Sequence, residues 1–237
     1  SDLIKGKREQ IILSTKCALE WRHETSVFHK EVDGTKVYRD LSKKSIIEDL
    51  DHSLLTLGTD YIDVLYTHWQ TTDKKLYPIE ETMEALNELV KSGKVRAIGA
   101  SAMYGYQFYN MQLAAKEHGW TPFSTMENHY NLLYREDERE LIPICKQMGV
   151  LLMPYSPLAA GHLTRPTWNT DTLRSKTDRV AMGKYDRMEE PDMHIVSRVQ
   201  ELAEKYNCKM SQIAIAWQWA KGIASPIIGV TKETYLD

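Results

Sequence analysis

Six short apolar or β-branched runs punctuate the chain: IILSTK (11–16), YIDVLYTHW (61–69), VRAIGAS (95–101), FSTMENHY (123–130), GVLLMPYSP (149–157) and SPIIGV (225–230). Each has the length of a strand, and consecutive apolar residues such as VLLM at 150–153 suit strands covered on both faces. The segments between them have helical spacing. Ile46, Ile47, Leu50, Leu54 and Leu57 recur at gaps that keep them on one helix face. A second helix reads over 80–92, with Met83, Leu86, Leu89 and Val90 inward and Gly93 as its stop; a third reads over 106–118, stopped by Gly119. Ser42 ahead of KKSI and Ser211 ahead of QIAIAWQWA are the expected N-caps.

Strands that alternate with helices imply a parallel sheet, and an open doubly wound sheet and a closed barrel both satisfy the pattern. Strand starts near 62, 95, 123 and 150 lie about 30 residues apart, one βα unit of a barrel each. No G-x-G-x-x-G follows the first strand, which weakens the dinucleotide-fold alternative. The expectation is an α/β protein, a (β/α)8 TIM barrel forming a single domain over 1–237, with about six of its eight βα units in the sequence and both ends falling inside elements. Residues 159–194 are rich in turn formers and read as one long polar loop.

Composition narrows the partners. A net charge of -3 offers no basic excess for a phosphate backbone, so nucleic acid is not expected. No run approaches the roughly 20 apolar residues of a membrane span, and SDLIKGKREQ is too polar for a signal peptide, so the protein is expected to be cytoplasmic and off the membrane. Cys17, Cys145 and Cys208 are odd in number and far apart, the pattern of core thiols rather than disulfides. The eight histidines lack metal-site spacing, and no metal is expected.

In a barrel the carboxyl ends of the strands face the mouth where chemistry occurs. Those ends carry Lys16, His68 with Trp69, Ser101, Glu127 with Asn128, Tyr155 with Ser156, and Thr231 with Lys232. A strand-end lysine can simply snorkel to water and a lone histidine can simply satisfy a hydrogen bond. Their joint placement is more specific: an ammonium lowers the pKa of a neighbouring phenol, and an imidazole polarises a carbonyl oxygen, together suiting proton delivery to a developing alkoxide. The run YREDERELIPICK reads as a solvated amphipathic helix.

The segments ILSTK, LGTDYIDVLYTHW, IEETMEALNELVKSGKVRAIGAS, NHYNLLYREDERELIPICKQMGV, PYSPLAAGHLTRP and PIIGVTKETYLD resemble, in order and over essentially the whole chain, the signature segments of the aldo-keto reductase family. The resemblance implies a (β/α)8 barrel that binds NADPH, or NADH, without a Rossmann motif. It also implies reduction of aldehydes or ketones by hydride transfer, with a tyrosine as proton donor. By matching motif, Lys16 and His68 are the lysine and histidine of the family tetrad; Trp69, read from its place at the strand end, lines the substrate pocket or the core. Ser101, and Asn128 or its neighbour Glu127, match the positions that hold the nicotinamide carboxamide, Glu127 standing where family members often carry Gln. Tyr155 matches the ring stacked on the nicotinamide. Ser156, Leu158 and Gly161 match the pyrophosphate loop, with Arg165 as phosphate clamp, and Thr231 and Lys232 match the grip on the 2′-phosphate. The family's D-x-x-x-x-Y stretch, which carries the tetrad's aspartate and tyrosine, has no counterpart ahead of ILSTK. The sequence is therefore expected to be part of a longer enzyme. The rival role is a non-catalytic nucleotide-binding subunit, as barrels of this family also serve potassium channels. Neither the substrate nor the oligomeric state is legible.

Overall fold

The computed structural model describes residues 4–24, 27–69, 78–168, 176–185 and 189–230. The chain has the α/β fold of the (β/α)8 barrels and divides into two compact units, one of Ser1–Met126 with Pro143–Val150, the other of Glu127–Ile142 with Leu151–Asp237. Among the described residues the parallel strands do not close into a full barrel.

In the first unit the strands are β1 (Ser14–Cys17), β2 (Leu19–Glu20), β3 (Phe28–Val32), β4 (Thr35–Arg39), β5 (Ile62–His68), β6 (Val95–Ser101) and the start of β7 (Thr125–Glu127). Its helices are α1 (Lys43–Leu57), α2 (Ile79–Lys91) and α3 (Gly105–His118). The predicted strands and helices of this region are present, the strand at 95–101 with both its ends and the others with ends moved by at most three residues. Strands β1, β5, β6 and β7 lie side by side in that order, with β1–β5 and β5–β6 parallel. The apolar positions that defined the helices, among them Ile46, Leu50, Met83, Leu86, Phe108 and Met111, are buried with Ile62, Leu65 and Ile98 of the strands. Ser42 caps α1 as expected, its hydroxyl accepting from the Ser45 N–H at 3.3 Å.

One element was not anticipated. Residues 19–39 form a second, antiparallel sheet in the order β2-β4-β3, turned at Asp33-Gly34 with φ of 50° and 79°. Two left-handed residues in a two-residue turn are the conformation that Asp-Gly favours, so the dipeptide was the available signal.

The second unit contains the short strand β8 (Leu151–Leu152) and helices α5 (Arg179–Tyr185), α6 (Glu189–Tyr206) and α7 (Met210–Ala220), while α4 (Leu141–Gln147) straddles the division. Its core gathers Ala159, Leu163, Tyr185, Val196, Val199, Ala203, Met210 and Ala214. Three expectations need correction here. The polar stretch 159–194 is not loop throughout: it holds a 3-10 turn at Ala159–Gly161, all of α5 and the start of α6, because Tyr185 supplies an anchor to the apolar cluster. Helix α7 is capped at Lys209 rather than Ser211, since the Gln212 side chain reaches back and its Oε1 accepts the Lys209 N–H at 2.8 Å. The run SPIIGV is reduced to one bridge, between Ile227 and Tyr155. Thr231 and Lys232 lie outside the described residues.

Candidate active site

Strand register assembles the first unit's site. Lys16 pairs with Tyr66, Tyr66 with Gly99, and His68 with Ser101. Paired residues of parallel strands point to the same side and alternate residues return to it, so Lys16, Tyr66, His68, Gly99 and Ser101 share one face. Tyr66 is buried and makes its floor. The Thr125 hydroxyl donates to the Tyr66 hydroxyl at 3.0 Å, and the Lys16 Nζ sits 5.5 Å from the ring centroid. The ring crosses β6 at Gly99, where an added Cβ would fall inside the radii of Tyr66 Cε1 and Thr125 Oγ1. Only glycine lets the phenol lie there.

Above this floor stand the polar groups. Lys16 is an exposed residue of β1, with its Nζ directed over the Tyr66 ring. His68 is half-buried, and burial, then the charges of Lys16, His29, Arg39 and Lys30, push its imidazole down to about 4. It is neutral at physiological pH, with one N–H to give and one lone pair to accept. Ser101 is buried, and among the described residues its hydroxyl has no hydrogen-bond partner.

Trp69 explains why β5 ends as it does. Its φ is +62°, a left-handed conformation that costs a bulky residue about 1–3 kcal/mol. That turn folds the indole back over His68, the rings stacked at 3.6 Å and 13°, while the Trp69 N–H donates to the Ser101 carbonyl at 3.0 Å. His29 lies 4.7 Å from the indole and the Arg39 guanidinium 4.5 Å over it. A cation on an aromatic face contributes about 0.5–2 kcal/mol and the backbone hydrogen bond about 1 kcal/mol, enough together to offset the strain. Sequence reasoning missed His29 and Arg39 because it missed their hairpin.

A buried ionic cluster holds the chain just beyond Lys16. Arg22 joins Glu20 and Asp49, both buried, and Asp49 accepts the Ala18 N–H at 2.9 Å. Ala18 is left-handed at φ 90°, so this carboxylate fixes a strained turn two residues after the lysine. Burial pushes Asp49 up to about 6 against the opposing pull of the Ala18 N–H and Arg22.

In the second unit, Asn128 is buried; its Nδ2 donates to Asp137 at 2.9 Å and its Oδ1 has no partner among the described residues. Glu127 is buried beside it in sequence. The Tyr155 N–H donates to the Asn128 carbonyl at 2.9 Å, which pins the aromatic residue to this segment. The Tyr155 ring is parallel to His129 at 5.3 Å, with Lys184 Nζ 4.7 Å over it. Burial, with the negative field of Asp137, pushes its phenol up to about 12, so it serves as a neutral ring. Ser156, Ala159, Ala160 and Gly161 all have positive φ, a tightly coiled loop around half-buried Leu158. Ser156 is held through its carbonyl by Asn131 Nδ2 at 2.9 Å. Arg165 folds back on the loop, Nε donating to the Gly161 carbonyl at 3.5 Å. Its guanidinium leaves little room at Gly161: a Cβ there would meet Nη2 at 3.1 Å.

Comparison with known proteins places this arrangement. The model of the Aldo/keto reductase family matches residues 2–237, and the chain belongs to that family. A Schizosaccharomyces pombe protein named as a candidate aryl-alcohol dehydrogenase is 43% identical over 97% of the chain and 72% of its own length. The versiconal hemiacetal acetate reductase of Aspergillus parasiticus is 44% identical over 83% of the chain and 57% of its own. Among solved structures, the glycerol dehydrogenase of Gluconobacter oxydans superposes with a TM-score of 0.79 at 25% identity, covering 100% of this chain and 68% of that one. The chain spans 53% to 72% of the length of four such curated relatives.

Proposed function

We propose that the whole protein is an NADPH-dependent oxidoreductase that reduces aldehydes or ketones to alcohols, with Lys16 and His68 in its catalytic machinery. The observation that carries this reading is the sheet face on which Lys16 and a neutral His68 stand together, beside a buried Ser101 hydroxyl that lacks a partner. A neutral imidazole can donate its N–H to a carbonyl oxygen without protonating it, and the nearby ammonium favours the anionic form of a proton-donating phenol. The tetrad's tyrosine and aspartate match no position in this sequence.

Ser101 Oγ in the first unit and Asn128 Oδ1 in the second are each buried with no partner among the described residues, and each is a group of the kind that bonds an amide. By the family motifs, Ser101 and Asn128 or its neighbour Glu127 answer to the positions that hold the nicotinamide carboxamide, and Tyr155 answers to the ring on the nicotinamide face. Ser156, Leu158 and Gly161 line the pyrophosphate, with Arg165 beside them. Thr231 and Lys232 grip the 2′-phosphate, a hydroxyl and an ammonium suited to a dianion. The bound nicotinamide supplies the hydride. The names of the relatives favour a reductase over the accessory-subunit role.

The test is to titrate the full-length protein with NADPH and follow nicotinamide absorbance on adding a panel of aldehydes. Oxidation dependent on the aldehyde is expected; binding of NADPH with no oxidation by any carbonyl would establish the accessory role instead.

A further inference from the structure

We propose that Arg39 and His29, on the hairpin that follows Lys16, form a subsite for a carboxylate on the carbonyl substrate. The inference deepens the reductase reading and rests on it for the identity of the reacting end.

Arg39 is poorly provided for where it stands. Its Nε is buried with no partner among the described residues, and its Nη2 meets His29 Nδ1 at 3.3 Å. A buried guanidinium nitrogen left unbonded calls for an acceptor. Among the described residues, three acidic side chains on or beside the hairpin are engaged elsewhere: Glu24 with Lys36 at 3.1 Å, Asp40 with the Ser42 N–H at 2.8 Å, Glu20 with Arg22 at 2.7 Å. Alternation along β4 also puts Lys36 and Tyr38 on the face opposite Val37 and Arg39. The charges that lower His29 are those of Arg39 and Lys30, and His68 feels both of these with Lys16 and His29, every one of them a basic group.

The chemistry of the pair is complementary to an anion. Arginine only donates, so His29 Nδ1 is the acceptor and its Nε2 carries the proton, a second donor beside the guanidinium. Arg39 and His29 lie against the Trp69 indole at 4.5 and 4.7 Å, and the same indole stacks on His68 at 3.6 Å, so the pair stands one side chain away from the imidazole that polarises the carbonyl.

Binding and turnover in the full-length protein test this separately. Calorimetry with benzoate and with benzamide requires no reaction. Benzoate is expected to bind at least tenfold more tightly, Arg39→Gln to remove that preference, and Arg39→Lys to restore part of it. His29→Ala is a second variant, expected to reduce the preference without removing it. Equal binding of benzoate and benzamide by the wild type, or an unchanged preference in Arg39→Gln, would overturn the subsite. In turnover, the ratio of kcat/KM for 4-carboxybenzaldehyde to that for 4-methylbenzaldehyde is expected to fall at least tenfold in Arg39→Gln. Reduction of both aldehydes with no preference would overturn the subsite and leave the reductase reading standing. Selective benzoate binding with reduction of neither aldehyde would do the reverse.

Discussion

At the scale of single residues, the account turns on a histidine that stays neutral and the tryptophan bent over it. The imidazole of His68 is expected to titrate near 4, because burial and then the surrounding cations disfavour its charged form. Its pKa is lower folded than unfolded, so the stability it contributes is present above about 6.5 and lost as the pH falls toward 4. Nuclear magnetic resonance of histidine-labelled protein reads this directly; a midpoint near 6.5 would contradict the description of the site. Arg39→Gln should move the midpoint upward by removing one cation, though only partway, since burial is the larger cause. Lys16 and His68 were legible in the sequence because strand ends and β-branched runs can be counted. The posture of Trp69 was not: a left-handed backbone on a large side chain is imposed by its neighbours on another sheet and leaves no local mark.

Among the elements, the crossing of Tyr66 over β6 is the tightest fit. Gly99→Ala is expected to destabilise the protein by about 1–3 kcal/mol, the usual cost of overpacking, as read from urea unfolding. Tyr66→Ala in the same chain should remove most of that added cost; additive effects of the two changes would show that the ring and the glycine do not meet. The helices over α1, α2 and α3 were legible from apolar spacing and glycine stops, because each buries one continuous face. The hairpin at 28–39 was harder. Its strands are short and mostly exposed, so no apolar alternation announces them, and the Asp33-Gly34 turn was the one local sign. Gly34→Val, at φ 79°, should strain that turn and loosen the hairpin, and with it the benzoate preference ascribed to Arg39. Helices α5 and α6 escaped because their apolar positions are spaced among many charges and make sense only against the cluster around Leu163 and Val196.

For the molecule as a whole, the family was legible in ordered motifs, while the division into two units was not, since no linker composition marks it. The residues proposed to bind the cofactor allow a test of their own: Lys232→Glu is expected to weaken NADPH much more than NADH, and equal effects on both would place the 2′-phosphate elsewhere. The central claim is that the face bearing Lys16 and His68 performs carbonyl reduction. It is tested most directly by Lys16→Met in the full-length protein, measuring both NADPH affinity and aldehyde-dependent NADPH oxidation. The account predicts affinity within a few-fold of the wild type and a rate at least about a hundredfold lower, the scale of losing assistance to proton transfer. An undiminished rate in Lys16→Met, beside an active wild type, would contradict it.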